Sequence, residues 1–70
     1  MAHAQTGTVA VTAGEGTVTV RYSWSTSVKV DRNGTLHIYG HHKQHAVHLA
    51  GDWTGYYASA PVREVAPDGP

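Results

Sequence analysis

Residues 17–30 read Thr-Val-Thr-Val-Arg-Tyr-Ser-Trp-Ser-Thr-Ser-Val-Lys-Val, and this segment is the clearest indication of the fold in the sequence. Polar and apolar side chains alternate through its first eight residues, a period of two that places them on opposite faces of a strand. Val28 and Val30 keep the same parity. No Gly, Pro, Asn or Asp interrupts the segment. It therefore predicts either one long strand, bent near residues 25–27, or two strands joined by a Ser/Thr turn.

The segments on either side of this strand also have strand patterns. Residues 8–12 alternate and end at a glycine-containing turn. Residues 31–34, Asp-Arg-Asn-Gly, predict a tight hairpin, because Asp can cap its own turn and Asn-Gly tolerates positive φ. Across this hairpin, Leu36 and Ile38 are expected to face the same core as the valines of the long strand.

The segment 41–50, which holds four of the six histidines, is compatible with two structures. As a short helix, it would gather its alanines, Val47 and Leu49 on one arc. As a hairpin, residues 41–44 would form the loop, with Val47 and Leu49 facing inward. The hairpin is favoured because ten residues without an N-cap make a marginal helix.

These patterns predict an all-β chain. The expected fold is a small single-domain antiparallel sheet or partly open barrel of five to seven short strands. The domain is expected to span residues 6–65, with a late strand at 52–57 and a short edge strand after Pro61. Residues 1–5 and 66–70 are expected to be flexible tails.

Composition excludes several classes of function. Five Lys and Arg balance five Asp and Glu, which argues against a strong polyanion binder, so nucleic acid is not expected as a partner. The absence of cysteine excludes disulfide scaffolds, thiolate metal sites and thiol catalysis. No apolar run approaches the ~20 residues of a membrane helix, and the first residues lack a signal-peptide pattern. We therefore expect a cytoplasmic protein without a membrane partner.

The hydrophobic core is expected to be thin. Leu, Ile and Val together number twelve among the 70 residues, and there is no Phe. A domain of this size buries only about 60% of the surface that its unfolded chain exposes. Either the tyrosines and tryptophans supply the missing apolar area, or a second subunit does, and a homo-oligomer is expected.

The histidines raise the alternative of a transition-metal site. On a helix, His41, His45 and His48 would line one face, and imidazole is a good ligand for Zn, Ni or Cu. On a strand, histidines four residues apart stand about 13 Å from one another and cannot share one ion directly. Because the strand interpretation is favoured, no metal or other cofactor is expected.

Six aromatic side chains are the second feature that could carry function. Tyr22 and Trp24 follow the valine parity of the long strand and are expected in the core. In the late strand, Trp53 and Tyr57 share one parity and Tyr56 opposes them, so one side of this strand would expose aromatic surface. Tyr and Trp are enriched at binding hot spots. The residues expected to form a binding surface are Trp53, Tyr56, Tyr57 and Tyr39.

No catalytic motif is present, and the acidic residues form no evident pair for general acid–base work, so an enzyme is not expected. The favoured function is a small β-rich binding or assembly module that contacts a protein partner or a second copy of itself. The alternatives are a histidine-based metal-binding protein and a small barrel that binds nucleic acid weakly.

Overall fold

The computed structural model describes residues 6–65, which form six β-strands in one sheet and no helix. The strands are β1 (Gly7–Ala13), β2 (Val18–Val30), β3 (Leu36–Gly40), β4 (Lys43–His48), β5 (Trp53–Ala58) and β6 (Arg63–Val65). The predicted all-β fold and the favoured hairpin in the histidine-rich segment are confirmed, and the helical alternative is wrong. The two predicted tails lie outside the described residues. Within residues 6–65, no helix has the length and apolarity that crossing a bilayer requires.

The long strand β2 organises the sheet. The strand order is β4-β3-β2-β1-β5, every neighbouring pair is antiparallel, and the sheet does not close into a barrel. The first part of β2 pairs with β1 and its second part with β3. The short strand β6 lies parallel to the second part of β2, which confirms an added strand after Pro61. Of the two interpretations of residues 17–30, the single long strand is correct.

Two register irregularities meet in the middle of β2. One lies opposite Gly7–Val9 of β1, and the other lies between Ser25 and Ser27 on the side of β3. Such bulges bend a strand and redirect its side chains. Tyr22 packs against the core as predicted, but the fully buried residue after it is Ser25. Trp24 has a φ of 63° and is 75% exposed, so the prediction that it lies in the core is wrong.

The hydrophobic core is formed by side chains of β1, β2 and β3. Its fully buried hydrophobic side chains are Val9, Val11, Val28, Leu36 and Ile38. Tyr22, Trp53 and Tyr56 pack around this cluster, so aromatic rings supply part of the apolar area that the aliphatic residues lack. The predicted inward positions of Leu36 and Ile38 are confirmed.

The register of β4 differs from the sequence prediction by one residue. The turn before β4 takes two residues, 41–42, where four were predicted, and a register shift follows it. Ala46 thereby lies opposite Ile38 and packs against the core. Val47 is 46% and Leu49 61% exposed, so their predicted inward positions are wrong. A slip of one residue moves every side chain of a strand to the other face.

A further irregularity lies at the start of β5. The register with β1 shifts between Trp53 and Gly55, which fits the predicted bulge or close approach at this glycine. As a result Trp53 and Tyr56 both pack against the core, whereas Tyr57 is 72% exposed. The prediction that Trp53 and Tyr57 share a face is therefore wrong.

Candidate binding surfaces

The side chain of Trp53 makes its contacts within the chain. It is half-buried, packs against the core, and its Nε1–H donates to the carbonyl oxygen of Gly34 at 2.9 Å. This bond ties the start of β5 to the turn between β2 and β3. Buried indole N–H groups usually find such a partner, and the bond fixes the ring in place.

Tyr56 is also engaged within the chain. Its hydroxyl donates to Oε1 of Glu64 at 2.5 Å, and its ring lies 6.3 Å from that of Trp53, centroid to centroid. Desolvation by burial, followed by the hydrogen bond and negative charge of Glu64, raises the pKa of Tyr56 to about 12. Tyr56 thus joins β5 to β6.

We expect stability to fall in strong alkali because of Tyr56. The folded-state pKa of about 12 lies above the ordinary value of 10.0, so the folded state holds this proton more tightly. The stabilisation is fully present below the ordinary value and is lost as pH rises through the folded-state pKa. Phenolate absorbance should show a late step, which Tyr56→Phe removes and Tyr57→Phe retains. A late step that persists in Tyr56→Phe would contradict this assignment.

Tyr39 and Tyr57 lie on the outer face of the sheet. Tyr39 is half-buried, and its ring stacks on His37 at a centroid distance of 6.2 Å and an interplanar angle of 6°. Tyr57 lies opposite Ala10 of β1, and 72% of it is exposed. Among the four predicted binding residues, Tyr57 is therefore the side chain most fully presented to solvent.

The strand that carries Tyr57 lies at one end of the sheet. β5 pairs with β1 along one edge, and its other edge has no strand partner within residues 6–65. The strand Trp53–Ala58 contains no charged residue and no proline. At the opposite end of the sheet, β4 carries Lys43 and two histidines. Charged side chains, especially Lys, are a common protection of edge strands, so β4 is the better protected edge.

The three histidines of the metal alternative point to different surroundings. His41 is exposed in the turn, His45 places Nδ1 3.4 Å from the hydroxyl of Ser25, and His48 places Nε2 2.8 Å from the hydroxyl of Tyr22. No group of three His, Asp or Glu side chains converges on a common point in the part of the chain that the structure describes. The geometry therefore gives the metal alternative no support.

Asp31 organises the turn between β2 and β3. Its Oδ1 accepts the backbone N–H groups of Asn33 and Thr35 at 2.8 and 3.0 Å, and its Oδ2 lies 2.9 Å from Nε2 of His37. The hydrogen bond to His37, followed by that from Thr35, lowers the pKa of Asp31. Gly34 has a φ of 85°, as the Asn-Gly pair predicted. These contacts are those of a capped turn.

Sequence reasoning missed an open depression beside Trp24. It has a volume of about 250 Å³ and is lined by Thr6, Gly7, Thr8, Ser23 and Trp24. The predicted bend at residues 25–27 was the available signal, because a bulge at a bend changes which side chains face inward.

Comparison with known proteins adds no functional assignment. No protein family matches the chain, and no curated protein or solved structure matches it significantly. The surfaces to which chemistry can be assigned are therefore the free edge of β5 with Tyr57 and the depression beside Trp24.

Proposed function

We propose that this chain is a non-enzymatic assembly module that pairs with a second copy of itself through the free edge of β5. The observation that carries the proposal is an uncharged strand at the end of the sheet, with Tyr57 72% exposed on it. An unpaired edge presents backbone N–H and C=O groups that can continue the sheet into another chain. The irregularity in β5 is confined to its start, and the ladder is regular from Gly55 to Ala58.

A second copy suits this edge better than an unrelated chain. Two β5 strands can pair antiparallel about a two-fold axis perpendicular to the sheet, so that the same patch serves both partners. The strand is neutral, and hence two copies do not repel each other. The two-fold axis also keeps Tyr57 of both copies on one face of the joined sheet, where each ring adds apolar contact. Within residues 6–65 of one copy, five hydrophobic side chains are fully buried, and so small a core would benefit from added burial.

The test places one positive charge on the strand at either end of the sheet and compares how each charge affects dimerisation. Tyr57→Lys puts a cation on the β5 edge, and Val47→Lys puts one on β4, where the side chain is 46% exposed. We expect wild type and Val47→Lys to sediment as dimers at high micromolar concentration. Tyr57→Lys should raise the dimer dissociation constant at least about tenfold, or ~1.4 kcal/mol.

Circular dichroism and thermal melting serve as controls that both variants remain folded. A wild-type chain that stays monomeric up to its solubility limit would contradict self-assembly. A dimer that both substitutions weaken equally would place the interface away from the β5 edge.

A further inference from the structure

Trp24 stands in a backbone conformation that is costly for a large side chain. Its φ of 63° lies in the left-handed region, which Gly and Asn occupy with less strain than a bulky residue. Burial of the ring could offset such strain, but Trp24 is 75% exposed. Neither local conformation nor packing therefore explains a tryptophan at this position. Strained residues of this kind concentrate at ligand sites.

The start of β1 lines the depression beside Trp24 and is fixed by hydrogen bonds to Ser59. The backbone N–H of Thr8 donates to the hydroxyl of Ser59 at 2.9 Å, and the carbonyl oxygen of Thr8 accepts the N–H of Ser59 at 3.0 Å. Gly7 lies so close that an added Cβ would come within 2.8 Å of the same Ser59 hydroxyl. The depression is thus formed by tethered strands of the sheet.

The lining of the depression is uncharged and rich in hydroxyl groups. Thr6, Thr8 and Ser23 each bring a hydroxyl that can donate and accept, and none of these hydroxyls bonds to another described residue. The indole of Trp24 adds an apolar platform. A charged ligand would find no opposite charge among the lining residues. The chemistry fits a neutral ligand with one apolar face and a hydrophilic rim.

We propose that the depression beside Trp24 binds a neutral sugar ring, with the C–H face of the ring on the indole and its hydroxyls on Thr6, Thr8 and Ser23. The volume of about 250 Å³ is below the roughly 300–1,000 Å³ typical of sites for larger ligands. Grooves that bind proline-rich peptides are lined by several aromatic rings, whereas Trp24 is the one aromatic residue lining this depression.

The test is a titration of the full chain, labelled with nitrogen-15, with cellohexaose, maltohexaose and the hexamer of N-acetylglucosamine. We expect at least one of these sugars to shift the indole N–H signal of Trp24 and the amide signals of Thr8 and Ser23 saturably. The indole signal of Trp53 should not move, because that N–H is already bonded to Gly34. Thr8→Val and Ser23→Ala should each weaken binding several-fold.

Trp24→Gly separates binding from folding. Glycine accepts the left-handed backbone, so this variant should melt no lower than wild type while its affinity falls at least tenfold. Trp24→Asn serves in the same role if the glycine variant is poorly folded. Leu49→Ala, which truncates an exposed side chain that does not line the depression, should bind as wild type does. The proposal is overturned if no sugar gives a saturable shift, if binding survives loss of Trp24, or if a polyproline peptide alone moves the Trp24 signal.

Discussion

Leu36→Ala is expected to lower the free energy of unfolding by about 2–5 kcal/mol, whereas Leu49→Ala changes it by no more than about 0.5 kcal/mol. The two leucines of the chain make a matched pair. Leu36 is fully buried between β2 and β4, and Leu49 is 61% exposed. Truncation of Leu36 removes buried methyl groups and leaves a cavity, but truncation of Leu49 removes atoms that water already contacts.

The effect is large relative to the stability of so small a chain. Globular domains are stabilised by roughly 0.05–0.15 kcal/mol per residue, so the loss of Leu36 takes a major part of the total. Denaturant unfolding followed by tryptophan fluorescence measures the difference at one fixed protein concentration, because self-assembly would make the midpoint concentration-dependent. Leu36→Val is the milder variant if Leu36→Ala does not fold. Equal losses at the two leucines would contradict the core described above.

Several elements of the fold were predictable because their signals are local. The alternation in residues 17–30 requires only neighbouring side chains, and it predicted strand structure there, although it left open whether the segment forms one bent strand or two. The turn at residues 31–34 was predictable for the same reason, since Asp31 bonds to backbone groups two and four residues away. The inward positions of Leu36 and Ile38 follow from that turn, because it sets which residues of β3 lie opposite Val30 and Val28.

The wrong predictions of side-chain faces have a common cause, which is a shift in the register between neighbouring strands. Parity assigns faces correctly only while each residue of one strand opposes one residue of the next, and a bulge inserts one extra residue. The irregularities in β2 and β4 reverse the predicted faces of Trp24 and Val47, and the one in β5 separates Trp53 from Tyr57, which were predicted to share a face. Whether a strand bulges depends on contacts with its neighbours across the sheet, which are distant in sequence.

The two candidate surfaces were also only partly predictable, because they depend on strand order and register as well as on local sequence. Tyr57 was predicted as a binding residue, although the free edge beside it depends on strand order, which the sequence does not reveal. Trp24 was assigned to the core because its parity matches Tyr22. The bulge between these residues leaves one ring packed on the core and the other exposed.

Gly40→Ala is expected to destabilise the chain by about 1–3 kcal/mol, as overpacking of a filled site typically does. Gly40 is buried at the end of β3, and an added Cβ would overlap the ring of His45. The ring would have to leave its place and lose its contact with Ser25. The hydroxyl of Ser25 already donates to the carbonyl of Tyr22 at 2.9 Å, so in that contact the Nδ1–H of His45 is the donor.

The decisive measurement is a double-mutant cycle between Gly40→Ala and His45→Ala. Without the imidazole, the new methyl group enters vacated space, so the double variant should be more stable than the sum of the single losses predicts. Residues in direct contact show interaction energies of about 0.5–3 kcal/mol. Gly55→Ala is the control, because nothing lies within 4 Å of its added Cβ and the change should stay within about 0.5 kcal/mol. Strict additivity of the two stability losses would contradict this prediction, because it would mean that the ring of His45 does not occupy the space above Gly40. The imidazole of His45 would then be available to bind a ligand.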